Sequence, residues 1–184
     1  MQQLSFSPFP ILTTQRLLLR QINDADAEQV YKLKCDKITL EFLDKAPMDS
    51  LSEAILHINK ISQDASTNTG ITWGIVLKEK PETLIGSIGF WRLMKEHYRA
   101  EIGYMLLPEY FRKGYMKEAI KTVIHYGFKE MNLHSIEANI NPENAASEAL
   151  LMSNGFIKEA YHRENFYFAG SFKDSAIFSL LNKS

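Results

Sequence analysis

Tyr110-Phe111-Arg112-Lys113-Gly114-Tyr115-Met116-Lys117 is the stretch that decides the fold, because it joins a predicted strand to the most regular helical pattern in the chain. A helix N-terminus carries free N–H groups and the positive end of the helix dipole, so a tight loop leading into it suits phosphate oxygens. Gly114 lets the backbone approach an anion closely, and Arg112, Lys113 and Lys117 add positive charge. The segment therefore predicts an anion-binding turn. A surface loop whose glycine only makes the turn is the alternative.

The turn matches neither of two better-known phosphate-binding loops. A Walker loop needs Gly-Lys followed by Ser or Thr, whereas Gly114 is followed by Tyr115. A Rossmann turn needs three glycines, and this segment has one. Nucleotide hydrolysis and nicotinamide chemistry are therefore disfavoured. A nucleotide-binding domain stays open as an alternative, which predicts competition by ATP.

The patterns on both sides of the turn predict an α/β (α+β) fold. Runs rich in β-branched and aromatic residues alternate with helical stripes of three-and-four spacing. The predicted strands are 17–22, 72–77, 84–91, 100–107, 135–140, 156–168 and 175–181. The predicted helices begin near residues 23, 50, 116 and 144. We therefore expect a mixed, mostly antiparallel central sheet of about seven strands, flanked by helices.

Length and composition indicate one globular domain over residues 1–184, with residues 1–12 as an extended arm. The 21 basic and 22 acidic side chains create no overall field for nucleic acid or an anionic membrane. The single Cys35 and the absence of a signal-peptide pattern predict a cytoplasmic location. The five histidines have no i, i+4 pair and no cysteine partners, so no metal site is expected.

Motifs along nearly the whole chain resemble the GNAT superfamily of acetyl-CoA-dependent N-acetyltransferases. The segment Leu107–Ala119 resembles that family's pyrophosphate loop, and Asn144-Ala145-Ala146-Ser147 followed by Asn154-Gly155-Phe156 resembles its next element. Thr14–Arg20 and Gly170–Asp174 are similar to the RimJ/RimL branch, the ribosomal-protein N-terminal acetyltransferases and their relatives. The loop departs from the family pattern by having Phe111-Arg112 before its central glycine and Met116 two residues after it.

The resemblance implies acetyl-CoA as the cosubstrate and assigns residues to it. In the resembled fold, strands 4 and 5 splay apart, and strand 4 carries a bulge that leaves backbone groups free for the pantetheine arm. Main-chain N–H groups of the turn bind the diphosphate, and Asn144 is expected to bond the pantetheine amides, with loop or helix-cap formation as its alternative. The implied cofactor-binding residues are Met105, Leu106, Leu107, Arg112, Lys113, Gly114, Tyr115, Met116, Lys117, Asn144 and Ser147.

Direct acetyl transfer requires a neutral amine, donors for the oxyanion and a proton for the departing thiolate. Glu101 is the candidate base, because its strand borders the acceptor cleft in the resembled family. A solvent-facing carboxylate in a salt bridge is the alternative. The family's usual acid, a tyrosine, is replaced by Leu151. Ser147 is therefore the candidate acid, with cofactor binding or helix capping as its alternative.

The predicted function is acetyl transfer to a primary amine in a ternary complex, most simply to the α-amine of a protein or peptide. A small-molecule amine, such as a polyamine or aminoglycoside, and a noncatalytic acyl-CoA-binding module are the alternatives. We expect no direct nucleic-acid or membrane partner, and a monomer or homodimer. Three regions are expected to select the acceptor: residues 38–48, the long helix after them, and residues 166–174. None of them contains a motif that identifies the amine.

Overall fold

The computed structural model describes residues 4–183, so the first three residues of the predicted N-terminal arm lie outside the described part. The strands are β1 (Leu12–Thr13), β2 (Leu17–Gln21), β3 (Ile71–Leu77), β4 (Lys80–Phe90), β5 (Arg99–Leu106), β6 (Ser135–Ile140), β7 (Ile157–Phe168) and β8 (Ser171–Leu181). The helices are α1 (Ala27–Cys35), α2 (Lys37–Leu40), α3 (Leu51–Ser66), α4 (Tyr115–Lys129) and α5 (Ala145–Ser153).

The strands form one sheet in the order β1-β2-β3-β4-β5-β6-β8-β7. All neighbouring pairs are antiparallel except β5 and β6, which are parallel. The predicted mixed, mostly antiparallel sheet is therefore confirmed. Residues 4–183 contain eight strands rather than the seven predicted, because Leu12 and Thr13 pair with Leu19 and Leu18 at the sheet edge. Two residues are too few to show the alternation that reveals a strand.

The segment before β1 packs onto the sheet through side-chain and backbone contacts. Phe6 is buried, and its N–H donates to Asn68 Oδ1 at 2.8 Å. The indole Nε1 of Trp73 donates to the Pro10 carbonyl at 2.7 Å, which satisfies the polar atom of a fully buried ring. These contacts fix the polypeptide just ahead of the β1–β2 turn.

The two faces of the sheet bury different helices. Ile120 and Val123 of α4 belong to one apolar cluster, whereas Leu33 of α1 and Ile58 of α3 belong to the other. Each such side chain contributes about 1.5–3 kcal/mol when it is fully buried. Since successive residues of a strand point to opposite faces, the central strands contribute to both clusters. In the described residues 4–183, no helix is long and apolar enough to cross a membrane.

The entry to α1 is fixed by a buried ion pair. Asn23 accepts a hydrogen bond from the Ala25 N–H at 3.0 Å and caps the short 3-10 turn before the helix. The Asp26 carboxylate accepts two hydrogen bonds from Arg20, at 2.7 and 2.8 Å. Arg20 lies on β2. The pair therefore ties α1 to the sheet.

The parallel pairing of β5 with β6 ends after three residues. Arg99–Glu101 pair with Ser135–Glu137, after which β5 continues alongside β4 and β6 alongside β8. These are the two strands predicted to splay, so that prediction is confirmed. The bulge expected in β5 is wrong, because its register with β4 runs evenly from Ile102 to Leu106. The divergence of β6 frees one edge of β5 without an extra residue.

Gly89 and Gly103 stand opposite each other in the β4–β5 ladder but in different surroundings. A Cβ added to Gly89 would lie 2.2 Å from the Ile71 carbonyl oxygen and 2.7 Å from the Thr72 Cα. Both atoms belong to the backbone of β3, which would have to shift. We expect Gly89→Ala to lower the free energy of unfolding by about 1–3 kcal/mol in urea denaturation.

Gly103→Ala is the matched control for this prediction. A Cβ there would lie 3.5 Å from the Trp91 Nε1, which is an ordinary contact distance. We expect the free energy of unfolding to change by no more than about 0.5 kcal/mol. Equal unfolding midpoints for the two variants would show that the close approach of β3 to Gly89 does not limit stability.

Candidate active site

The turn between β5 and α4 presents a row of unused backbone donors. Arg112 and Gly114 both adopt positive φ, 58° and 77°, and α4 begins at Tyr115 without a side-chain cap. Left-handed backbone in such a turn directs successive N–H groups towards one side, as in anion-binding nests. Within residues 4–183, the N–H groups of residues 112–117 have no acceptor. Six free donors at a helix N-terminus fit a diphosphate group.

The side chains of the turn divide into two sets. Arg112, Lys113 and Lys117 are exposed and therefore available to an anion, whereas Tyr115 and Met116 pack partly against the core. The Lys113 ammonium lies 5.4 Å from the centre of the Tyr110 ring. The structure thus brings the predicted residues 112–117 together in one turn. Met116 can contribute to an anion site only through its backbone, because its side chain has no hydrogen-bond donor.

The free edge of β5 lies next to this turn. The Leu107 N–H donates to the Ile85 carbonyl at 2.9 Å, so Leu107 and, by alternation, Met105 direct their backbone groups towards β4. Tyr104 and Leu106 direct theirs towards the gap that β6 has left. Of the predicted residues 105–107, Leu106 alone faces the gap in this way.

A hydroxyl pair bridges the gap between β5 and α5. The Tyr104 hydroxyl lies 2.6 Å from the Ser147 Oγ, and Ser147 is buried. The Asn144 Oδ1 accepts the Ser147 N–H at 2.9 Å, so Asn144 caps α5. Burial raises the pKa of Tyr104 to about 12, against a smaller opposing effect of the hydrogen bond with Ser147. The phenol therefore carries its proton at neutral pH, next to the predicted acid.

Tyr104 is a site residue that the sequence did not reveal. Strand alternation places it on the same face as Ile102. Its partner Ser147 lies 43 residues away, across a helix and a strand. A tyrosine inside an apolar strand carries no mark that distinguishes a site residue from a core residue.

Glu101 lies at the last paired position of β5 and β6, opposite Glu137. It is only 3% exposed, so it does not face solvent as the alternative expected, although it does form the salt bridge which that alternative included. Its Oε2 lies 3.3 Å from the Arg92 Nη1. Burial raises the pKa of Glu101, Arg92 opposes this effect, and the charge of Glu137 adds to it. The result is a carboxylate of increased basicity at the closed end of the gap.

An aromatic side chain covers the strand face next to Glu101. Glu101, Gly103 and Met105 share this face by alternation. Trp91 is the nearest group to Gly103, and it is half exposed. The Lys45 ammonium lies 5.8 Å from the Trp91 ring centre, and the Arg92 guanidinium lies 4.9 Å from it. Two cations therefore flank the open face of β5.

Two further basic groups lie close to Lys45. Burial and, to a smaller extent, the charge of Lys45 together lower the pKa of Lys34 to about 8. Burial lowers the pKa of His57 to about 4, with additional contributions from Lys34 and Lys45. Among the side chains of residues 4–183, no carboxylate oxygen lies within 4.0 Å of the Lys34 or Lys45 ammonium. Lys34 and Lys45 therefore lack a close carboxylate among residues 4–183, whereas the low pKa of His57 leaves its imidazole neutral at pH 7.

Comparison with known proteins agrees with this geometry. Residues 16–157 match the family described as the acetyltransferase (GNAT) domain. The chain is 39% identical over 173 residues to the uncharacterized N-acetyltransferase YoaA of Bacillus subtilis, covering 94% of this chain and 97% of that protein. A crystal structure of a GNAT-family acetyltransferase from Bacillus anthracis superposes with a TM-score of 0.83 at 27% identity, covering 95% and 100% of the two chains.

Two more distant relatives have acceptors in their names. The [ribosomal protein uS5]-alanine N-acetyltransferase of Escherichia coli is 26% identical over 92% of this chain and 89% of its own. The spermidine N(1)-acetyltransferase of Vibrio cholerae is 24% identical over 86% of this chain and 89% of its own. The family match and the similarity to YoaA each cover most of the sequence, and the chain therefore belongs to the GNAT family as an acetyl-CoA-dependent N-acetyltransferase.

Proposed function

We propose that this enzyme acetylates the α-amine of a protein or peptide N-terminus and belongs to the RimJ/RimL-like branch of its family. The observation that carries the proposal is the buried Glu101 at the closed end of the gap between β5 and β6. The similarity to the uS5-alanine N-acetyltransferase supports it. Similarity to the spermidine enzyme is of comparable strength, so sequence similarity does not distinguish the two acceptors. The properties of the site favour the α-amine.

The chemistry of the acceptor favours an α-amine. Deprotonation at pH 7 costs about 1 kcal/mol for a protein α-amino group and about 4.6 kcal/mol for a lysine side chain, from their ordinary pKa values. A single carboxylate whose pKa is raised by burial is a sufficient base for the first but a weak one for the second. Glu101 therefore suits an N-terminal amine.

Glu101 reaches the reacting amine directly or through water. Met105 lies four positions further along the strand, which corresponds to about 13 Å. Gly103 lies between them on the same face, where the Trp91 indole packs over it at 3.5 Å from the position of an added Cβ, so a bound water or the amine would lie beside this ring. The proton passes from the amine to the Glu101 carboxylate along this face.

The proton for the departing thiolate is proposed to come from Ser147, on the opposite side of the gap from Glu101. Acetyl-CoA, when bound, supplies an activated thioester and a thiol leaving group. The backbone of Leu106 faces the gap where an oxyanion donor is needed, and residues 112–117 offer their N–H groups to the diphosphate. The Ser147 Oγ, paired with the protonated Tyr104, holds a proton for the departing sulfur.

The charges beside Glu101 disfavour a polyamine acceptor. Arg92, Lys45 and Lys34 lie on the side of β5 that the amine approaches, and a polycation would be repelled there. The same region also has acids, Asp36, Glu41, Asp44, Asp49 and Glu53. Asp36 accepts the Thr39 N–H at 2.7 Å and Glu53 accepts the Asp49 N–H at 3.2 Å, which fixes their positions without cancelling their charge. A peptide with one α-ammonium group is better tolerated than spermidine.

An acceptor panel tests the proposed function. We expect the purified protein to release free thiol from acetyl-CoA with peptides that have a free N-terminus, and to acetylate spermidine, spermine and aminoglycosides much more slowly. The same peptides with a blocked N-terminus are the control and should give no release. Turnover of polyamines alone would contradict the proposed acceptor while leaving the enzyme class unchanged.

Replacing the proposed base changes the pH profile. At saturating acceptor, the rate of the wild-type enzyme should fall as pH drops through the raised pKa of Glu101, because the protonated carboxyl cannot accept a proton. We expect Glu101→Gln to reduce kcat at neutral pH by about 100-fold and to lose this acid limb.

Glu137→Gln is the matched carboxyl variant on the neighbouring strand. The charge of Glu137 raises the pKa of Glu101, so its removal should move the acid limb to lower pH without abolishing turnover. An unchanged acid limb in Glu101→Gln would show that another group accepts the proton.

A negative charge in the turn tests the diphosphate site. Gly114→Glu places a carboxylate beside the free N–H groups, and we expect it to weaken coenzyme A binding roughly 100-fold or more in calorimetric titration. Gly114→Ala separates charge from backbone strain, because both variants place a Cβ at φ 77°. Equal affinities of Gly114→Glu and the wild type would refute the site.

A further inference from the structure

Arg16 connects the β1–β2 turn to the predicted diphosphate turn. Its Nη1 donates to the Lys113 carbonyl at 3.0 Å, and its Nε donates to the Glu118 Oε2 at 2.8 Å. The guanidinium also stacks over the Tyr115 ring, 4.5 Å from its centre. It is the nearest group to Gly114, whose Cβ position would lie 3.4 Å from Nη2. One side chain thus contacts three consecutive residues of the turn and the first turn of α4.

Glu118 is held by several donors from the same segment. Its Oε1 accepts the Arg16 N–H at 2.8 Å and the Thr14 hydroxyl. Burial alone raises the pKa of Glu118, but the hydrogen bonds from Thr14 and Arg16 outweigh it, so the pKa lies below its usual value. Glu118 is therefore ionised, and its hydrogen bonds hold the segment with Thr14 and Arg16 against α4.

The hydrogen bond to Lys113 sets the direction of an N–H group in the turn. A trans peptide is planar, and its C=O and N–H point in opposite directions. The Lys113 carbonyl and the Gly114 N–H belong to one peptide unit. Because Arg16 holds the carbonyl on its own side, the Gly114 N–H points to the opposite side, together with the other free donors of residues 112–117.

The ion pair also removes an unfavourable charge. Glu118 lies in the first turn of α4, where a carboxylate interacts well with the helix dipole but would repel a bound anion. The Arg16 guanidinium lies against that carboxylate, which is only 17% exposed. Neutralisation of Glu118 therefore keeps the potential at the helix N-terminus positive.

We propose that Arg16, anchored by Glu118, is a positioning residue for the donor diphosphate: it fixes the Lys113–Gly114 peptide with its N–H towards the ligand. This inference rests on the proposed diphosphate site. It assigns a physical role to the Thr14–Arg20 segment, which the acetyl-transfer chemistry itself does not use.

The test compares two ligands that differ in the diphosphate. We expect Arg16→Ala to raise the Kd for coenzyme A by about tenfold or more, the scale of a charge-assisted hydrogen bond, in calorimetric titration. The Kd for pantetheine, which lacks the diphosphate, should stay unchanged when it is followed by tryptophan fluorescence. A parallel loss of affinity for both ligands would indicate a general structural defect and would overturn the proposal.

Arg16→Lys separates geometry from charge. Lysine keeps the positive charge but cannot bond the Glu118 carboxylate and the Lys113 carbonyl through a planar fork. We expect it to bind coenzyme A nearly as weakly as Arg16→Ala, and it also serves as the test variant if Arg16→Ala does not fold. Full affinity in Arg16→Lys would overturn the positioning role in favour of simple charge.

Lys32→Ala is the matched control. It removes an exposed ion pair, Lys32 to Glu109 at 2.8 Å, just ahead of the turn without altering any contact of Arg16. Its coenzyme A affinity should equal that of the wild type, and a loss equal to that of Arg16→Ala would contradict the proposal. Failure of the wild-type protein itself to bind coenzyme A would refute the proposed diphosphate site, which separates that failure from a failure of the Arg16 role.

Discussion

The short parallel contact between β5 and β6 is the constraint on which the rest of the site depends. The two strands share only the pairs from Arg99 with Ser135 to Glu101 with Glu137. If the pairing continued, the backbone groups of Tyr104 and Leu106 would be used in a ladder and no ligand could bond them. Because it stops, no strand pairs with this edge of β5, where the Leu106 carbonyl accepts the Thr39 hydroxyl at 3.4 Å, and the carboxylate of Glu101 lies where that edge begins. The divergence thus creates both the cleft and the position of its proposed base.

Burial then sets the chemical properties of the groups around the cleft. Glu101 and Tyr104 both have raised pKa values, chiefly because desolvation disfavours their charged forms. For the carboxyl group this means increased basicity, and for the phenol it means a retained proton. One physical effect therefore produces a proton acceptor at the closed end of the gap and a proton-bearing hydroxyl pair, Tyr104 with Ser147, across it. The two groups suit the two proton transfers of acetyl transfer.

Features determined by nearby residues were predictable from the sequence, whereas features formed by distant residues were not. The turn at Gly114, the cap at Asn144 and the helix start at Ser50 depend on contacts within a few residues, and the structure contains all three. The contact of Arg16 with Glu118 spans 102 residues and arises only when β2 and α4 meet. No pattern of neighbouring residues predicts this contact. The same reason explains why Tyr104 was missed, whereas β1 was not counted because its two residues are too few to show the alternation of a strand.

The donor and acceptor sides of the proposed site also differ in whether they are formed by neighbouring or by distant residues. The proposed diphosphate site consists of one continuous turn, braced by one segment of the N-terminal region, so a local motif suffices to identify it. The proposed acceptor half is assembled from α1, the segment before α3, α3 itself and the end of β4, through Lys34, Lys45, His57 and Trp91. Substitutions at such separate positions alter the charge of the acceptor side without affecting the donor turn. This separation is a physical reason why relatives named for ribosomal-protein acetylation and for spermidine acetylation can both resemble this chain. Overall similarity therefore does not determine the acceptor, whereas the local charge of the acceptor side does.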